Sequence, residues 1–400
     1  SSALSQKVPL VGLLVSEGRA SLPTGGLCAR AQKLLKSKVF KGKVAETLTL
    51  HAETAAGPRA LLLVGMGSAK EVTSDIVRRA GLIAGAEGAK LGAKKITVGT
   101  AGGWSLDAGT LSALGEGLVL SSYRYPVKKP DTKPPTEAVV VSGVRGAAAV
   151  LKRAKGVTEG TNLARELGDL PGNIADPDHL RNTARKVCTA GKLRFKSHDN
   201  AALKRMKMGG ILAVNQGSDK PAYLIEMEYK PARYKHTICI VGKGLTFDAG
   251  GISLKPAGGM EEMKYDMCGG AATIGLMKAI AATKPKGVRV IGIVGTTENL
   301  QNGSAYKPGD VATTGSGKTI EAINDMATLT GAIVVALGHE AAGVFSKDDK
   351  LVERLKAAAA NTDEKVWHMP SFPAYDEKVK SKWADIRNSA GRDAGSCTAA

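Results

Sequence analysis

Two near-continuous apolar runs, HTICIVGKG (His236–Gly244) and GVRVIGIVGTTE (Gly287–Glu298), flank the helical stretch CGGAATIGLMKAIAATK (Cys268–Lys284). That order constrains the fold more than any other feature of the chain. Strands that are apolar on both faces need cover on both sides, and a helix between two of them is the connection a parallel pair requires. The expected class is α/β, with a sheet covered by helices. YLIEMEY (Tyr223–Tyr229) supplies a further strand of the same sheet.

The first third of the chain repeats the alternation. RALLLVGMG (Arg59–Gly67) predicts a buried strand, SDIVRRAGLIAGAEGAKLG a helix, KKITVGT a strand, Leu111–Leu120 a helix and EAVVVSG a strand. A Pro- and Lys-rich loop, YPVKKPDTKPP, follows Arg124, and a long helix is expected over Gly146–Leu167. In GDLPGNIADPDHL, Asp176 or Asp178 marks a new helix start. Four hundred residues exceed one small core, so two domains are expected, 1–147 and 148–400.

Several classes fall away. No apolar run is long enough for a membrane-spanning helix. The five cysteines are scattered and never spaced C-x-x-C, which argues against a disulfide framework or structural zinc and for an intracellular setting. The net charge of +19 is spread out: residues 1–150 carry 20 basic and 10 acidic side chains, residues 151–400 carry 36 and 27. A solvated basic surface is the ordinary reading; an anionic or nucleic-acid partner is the other. The densest cluster, KLLKSKVFKGK (Lys33–Lys43), reads as a helix face running into a strand. The chain begins Ser-Ser without Met, which suggests a removed leader, and with the basic charge this favours the mitochondrial matrix over the cytoplasm.

Two glycine motifs are decoys. VGMGSA lacks the later glycine and the acidic residue of a dinucleotide loop and reads as a plain strand-to-helix turn. GSGKT would need its leading glycine at Ala312, so it is expected to be a hairpin turn rather than a phosphate loop.

The chemistry concentrates in VGKGLTFDAGGISLKPAGGMEEMKYDMCGG, Val241–Gly270. Lys243 and Asp248 arrive at the carboxyl end of a parallel strand, where α/β enzymes place their sites. Gly250 and Gly251 allow a sharp turn that returns Lys255, and Asp266 precedes a glycine-rich helix start. On spacing alone, two lysines and two aspartates read equally as structural ion pairs or as a reactive centre.

This segment resembles the signature of the leucyl aminopeptidase (cytosol aminopeptidase) family, V-G-K-G-x-T-F-D-[ST]-G-G followed by x-M-x-x-M-[KR]-x-D-M. The likeness continues through ENLQNGSAYKPGDV, GKTIEA, DMATLTGAIVVALG and NSAGRDAGSCTAA, and includes EGTNLARELGDLPGNIADP and ALLLVGMGS upstream. It implies an N-terminal macro-like α/β domain and a C-terminal α/β catalytic domain with a mixed sheet covered by helices, assembled as a homohexamer acting on peptides. It also implies two divalent metal ions (zinc or manganese, with magnesium as a third candidate), held in part by Lys243, Asp248 and Asp266. Such ions polarise the scissile carbonyl and take the free α-amine of the substrate. Lys243 would ligate as the neutral amine, whereas Lys255 would stay charged and stabilise the oxyanion. Met263, Thr328 and Gly331 match residues lining the pocket for a Leu-like first side chain, and Leu329 one whose backbone holds the substrate. Ala249 replaces the usual Ser or Thr at a non-catalytic position.

One family segment is missing. After GKTIE the family carries Asn-Thr-Asp-Ala-Glu-Gly-Arg and a helix, whereas here TIEA abuts INDMATLTGA at Ala322–Ile323. A parallel crossover needs about a dozen residues or more, so further residues are expected between Ala322 and Ile323. NTDEK (Asn361–Lys365) echoes the lost motif but matches another segment, so Asp363 and Glu364 are not counted as ligands. The chain also stops inside GSCTAA, where the family continues. The lost motif would supply an Asp, a metal-bridging Glu and the Arg that anchors bicarbonate. Without it one metal site remains, and a catalytically degenerate relative serving as a structural or RNA/protein-binding component is the competing reading.

Overall fold

The computed structural model describes residues 8–18, 22, 26–54, 57–101, 104–128, 130–321, 331–362, 364–387, 390 and 393–399. It divides into two compact units, Ser1–Asn162 and Leu163–Ala400.

In the first unit β1 (Leu10–Val15), α1 (Gly26–Lys36), β2 (Thr47–Thr54), β3 (Gly57–Gly65), α2 (Ser74–Lys90), β4 (Lys95–Ala101), α3 (Ala108–Leu120) and β5 (Glu137–Val140) precede the long α4 (Ala147–Asp169). The sheet order is β2-β3-β1-β4-β5, antiparallel only between β2 and β3. Every residue of β1 is buried, as a central strand covered on both faces must be. One face packs Leu10, Leu14, Leu62 and Val98 against Val77, Ala84, Leu111 and Leu114 of α2 and α3; the other packs Val11, Leu13, Leu61 and Leu63 with Cys28, Ala31 and Phe40.

Glycine sets how closely α2 and α3 approach: a Cβ at Gly117 would run into the carbonyl oxygen of Arg78, and one at Gly81 would crowd that of Leu114. Asp107 caps α3 through a capping box, its Oδ1 accepting the Thr110 amide at 2.7 Å. The Lys33–Lys43 cluster departs from expectation. Its helix ends at Lys36 and a loop, not a strand, follows. Lys38 turns left-handed (φ 60°), and the Glu46 carboxylate accepts the amides of Lys41 and Lys43, at 3.1 and 2.9 Å, holding the loop shape.

The second unit contains α5 (Pro177–Gly191), β6 (Arg194–His198), α6 (Asn200–Arg205), α7 (Gly209–Asn215), β7 (Tyr223–Tyr229), β8 (Tyr234–Asp248), a 3-10 helix (Met260–Met267), α8 (Cys268–Thr283) and β9 (Gly287–Asn299). Asp176 caps α5, accepting the His179 amide at 2.8 Å. The sheet order is β6-β7-β9-β8. β8 and β9 are parallel across the α8 crossover, and the other pairs are antiparallel, so the sheet is mixed. Tyr223, Ile225, Met227, Val290 and Val294 pack against α5 and α8 through Leu180, Ala184, Cys188, Ile274 and Met277. On the opposite face Gly295 lies under Ile211 of α7; edge strand β8 leaves Ile238 49% exposed on the helix side and Val241 72% exposed on the other.

Downstream lie the short elements β10 (Val311–Thr313), β11 (Thr319–Glu321), α9 (Ala332–Leu337), β12 (Ala342–Val344), α10 (Asp349–Ala360), β13 (Val366–His368), α11 (Pro373–Lys378), β14 (Ile386–Arg387) and α12 (Gly395–Thr398). β10 and β11 form an antiparallel hairpin around GSGKT, closed by the Thr314 amide on the Lys318 carbonyl at 2.8 Å, so this loop is the expected turn. No described helix is long and apolar enough to cross a membrane.

Candidate metal centre and active site

The β8–β9 pair carries Asp248 and Asn299 to the same end of the sheet, in register. Helix α8 can press its first turn on β8 because the facing positions are glycine. A Cβ at Gly242 would meet the Gly269 carbonyl, and one at Gly270 would come within 3.1 Å of the Gly244 Cα. The 3-10 helix leading into α8 therefore brings Asp266 to Lys243, whose Nζ lies 2.8 Å from Asp266 Oδ1. After β8 the chain turns through Gly250 (φ 91°) and Gly251 (φ 68°), values that favour glycine. The turn closes with the Lys255 amide donating to the Ala249 carbonyl at 2.9 Å. Lys255 Nζ then donates to Asp248 Oδ2 at 2.5 Å and to the Met263 sulfur at 3.3 Å. Asp248 Oδ1 accepts from the Gly250 amide at 3.0 Å and from Asn299 Nδ2 at 2.7 Å.

The two aspartates sit in different environments. Asp248 is fully buried and hydrogen-bonded at both oxygens. The Asp266 side chain is also fully inaccessible, yet neither of its oxygens has a hydrogen bond; the Lys243 contact has ion-pair distance without hydrogen-bond geometry. Burial pushes the Asp266 carboxyl above the usual carboxylate range, with the Lys243 charge opposing. Tyr306 is pushed up to about 12 by burial and by the Asp248 charge, so its hydroxyl stays protonated at neutral pH.

A buried carboxylate without hydrogen bonds is costly, and a divalent cation is a partner that would satisfy it. The donor set, one lysine amine and two carboxylates, suits a cation, so Lys243, Asp248 and Asp266 fit a metal. Among the described residues no group of three or more His, Cys, Asp and Glu gathers as a ligand set, so these residues make a partial cage.

The structure thus brings together Lys243, Asp248, Lys255, Asp266 and Met263. Gly331 starts α9, which packs on β12 and α12. Thr328, Leu329 and Asp363, with the Ala322–Ile323 junction, lie outside the described residues. Sequence reasoning missed Asn299 and Tyr306 as neighbours of Asp248. The signal was available in ENLQNGSAY: parallel neighbours joined by one crossover end at the same edge, so the last residue of β9 falls beside the last of β8.

The model of the cytosol aminopeptidase family catalytic domain matches residues 162–324 and 321–400, in two pieces that meet at the suspect junction. The model of the family's N-terminal domain matches residues 14–131. A probable cytosol aminopeptidase of Bdellovibrio bacteriovorus is 39% identical over 437 aligned positions, covering 100% of this chain and 85% of that protein. One from Rhizobium meliloti is 38% identical, covering 98% and 85%. Among solved structures, a tomato leucine aminopeptidase mutant superposes with TM-score 0.84 at 27% identity, covering 100% of this chain and 86% of that one. The bottromycin maturation enzyme BotP in complex with Mn gives 0.82 at 26%, covering 96% and 87%. The 437 aligned positions exceed the 400 residues of this chain, so the Bdellovibrio protein has at least 37 positions with no counterpart here.

Proposed function

The chain belongs to the cytosol aminopeptidase family and is a metal-dependent aminopeptidase, and from that premise we propose that Lys243, Asp248 and Asp266 hold its divalent metal while Lys255 stabilises the oxyanion. The observation that carries this reading is the fully buried Asp266 carboxylate, which faces the Lys243 ammonium at 2.8 Å and has no hydrogen bond at either oxygen. Divalent ions bound there supply Lewis acidity and lower the pKa of water.

The chain's own residues do the rest. Asn299 and the Gly250 amide fix the Asp248 carboxylate in one orientation. Lys255, 20% exposed in its side chain, holds its ammonium between Asp248 and Met263, where a developing negative charge on the substrate carbonyl would find a preorganised donor. Met263, with Thr328 and Gly331, is proposed to receive a Leu-like first side chain, and the backbone of Leu329 to hold the substrate. The leucine aminopeptidase and the Mn-bound enzyme among the structural neighbours support leucine preference and manganese, with zinc and magnesium as competitors.

A two-metal centre, and bicarbonate with it, would require the missing Asp-, Glu- and Arg-bearing segment. A homohexamer in the mitochondrial matrix completes the proposal, on the family resemblance and the basic charge. The comparisons do not favour the degenerate relative as an alternative.

The test is hydrolysis of leucine p-nitroanilide before and after chelation. Activity should vanish with chelator and return with Mn²⁺ or Zn²⁺. Activity indifferent to chelation would overturn the metal assignment, and a stable monomer in sedimentation at micromolar concentration would overturn the hexamer.

A further inference from the structure

A cavity of about 770 Å³ opens in the first unit at the carboxyl ends of the parallel strands β1 and β3. Its lining includes Ser16 and Glu17 just after β1, Ser68, Ala69 and Lys70 just after β3, and Lys36, Lys38, Lys41 and Lys43 from the end of α1 and the loop that follows. Crevices at the carboxyl ends of parallel strands are where open α/β sheets bind ligands. The volume is that of a small-molecule site.

Five lysines and a single glutamate surround this space. Among the described residues none of the five makes a salt bridge, although many other lysines of the chain do. Glu46, the nearest other acid in this loop, accepts the amides of Lys41 and Lys43 and keeps its charge beside Lys43, which still leaves five lysines against two acids. All five lysines are exposed, so water and salt screen their mutual repulsion; the surplus positive charge favours an anion among them without requiring one.

A second observation is independent of charge. Ser16, another lining residue, is 1% exposed, and its hydroxyl has no hydrogen-bond partner. A buried unsatisfied hydroxyl costs about 1–3 kcal/mol. The backbone around it is already paired, with the Glu17 amide on the Gly67 carbonyl and the Met66 amide on that of Val15, and the hydroxyl itself has no protein partner. Leu35 and the buried Phe40 add an apolar wall.

We propose that this cavity binds a compact organic polyphosphate of nucleoside-diphosphate size, its phosphates among Lys36, Lys38, Lys41, Lys43 and Lys70 and one phosphate oxygen accepting from Ser16. The apolar wall takes the organic part. Its residues belong to the first unit and those of the metal centre to the second, and binding here needs no peptidase activity.

The experiment is calorimetric titration of the full chain with ADP, inorganic phosphate and a short oligothymidylate. ADP should bind once per chain, more tightly than inorganic phosphate and more weakly as salt rises. The double variant Lys38→Glu/Lys41→Glu should weaken ADP by about tenfold or more, as loss of charge-assisted contacts predicts. Ser16→Ala should weaken it without changing the salt dependence. Leucine p-nitroanilide hydrolysis should be unchanged in both. Should the double variant fail to fold, Lys38→Gln and Lys70→Gln tested singly read the same loss. No heat with ADP, or binding indifferent to these substitutions, would overturn the proposal. So would an oligothymidylate that outcompetes ADP at the same lysines, since that would make the face a nucleic-acid surface.

Discussion

Asn299 Nδ2 donates to Asp248 Oδ1 at 2.7 Å, and both residues are fully buried. The bond ties the last residues of two parallel strands and leaves Asp248 Oδ2 to Lys255. Partners that orient a metal-binding carboxylate typically contribute about 10–100-fold to affinity. Asn299→Ala should therefore weaken Mn²⁺ binding by about that factor, measured by competition with a chromophoric chelator. Unchanged affinity in a folded variant would remove Asn299 from the site.

Lys255 and Lys243 carry the same charge but differ in proposed role. Lys255→Ala should lower kcat by about 10²–10³ while bound metal stays at the wild-type level, as expected for an oxyanion donor. Metal content is read by elemental analysis of the same samples. A variant that loses metal in proportion to activity would make Lys255 a structural counterion of Asp248 instead.

In the N-terminal unit the packing of α2 on α3 depends on Gly117, where a Cβ would strike the Arg78 carbonyl. Backbone cannot swing aside as a side-chain tip can. Gly117→Ala should destabilise the fold by about 1–3 kcal/mol, the usual cost of overpacking. Gly109→Ala, where the nearest neighbour stands 3.5 Å away, is the control and should be neutral or slightly stabilising. Equal melting temperatures for the two variants would refute the close approach.

The Asp107 cap predicts a pH dependence. Its carboxyl is held below the usual range, chiefly by the Thr110 amide and hydroxyl. A depressed folded-state pKa means stability that is present above the unfolded value of about 3.9 and lost as pH falls through the folded value. Asp107→Ala should cost about 0.5–2 kcal/mol at neutral pH, and the gap to wild type should close below that window. A gap that persists at the lowest pH would assign the loss to packing.

Much of this was legible because two periodicities are clean. The apolar runs of β3, β8 and β9 have no competing pattern, and the Lys243, Asp248 and Lys255 arrangement follows from a strand end and two glycines. Asn299 escaped because its role depends on register between β8 and β9, which no local pattern carries. The Lys38–Lys43 loop escaped for another reason: Val39 and Phe40 look like a strand start, yet a left-handed Lys38 and the Glu46 carboxylate hold a loop. The exposed Val241 on edge strand β8 was also hidden, since apolar strands are expected to be covered.

That uncovered edge bears on the last prediction. The family match breaks at residues 321–324, and at least 37 positions of the Bdellovibrio relative have no counterpart in these 400 residues. An exposed apolar edge strand is a liability that folds ordinarily cover. If the missing positions fall at the break, they would carry the second half of the metal cage. The chain as it stands should then bind about one divalent ion, through Lys243, Asp248 and Asp266, where a complete two-metal site takes two. Asp266→Ala should empty that remaining site. Transcript sequencing across Ala322–Ile323 should reveal the additional codons, and restoring them should raise the stoichiometry to two. Two equivalents bound by the unrestored chain would show that the second site draws on other residues. An uninterrupted reading frame would make the deletion real and leave a one-metal centre as the natural state.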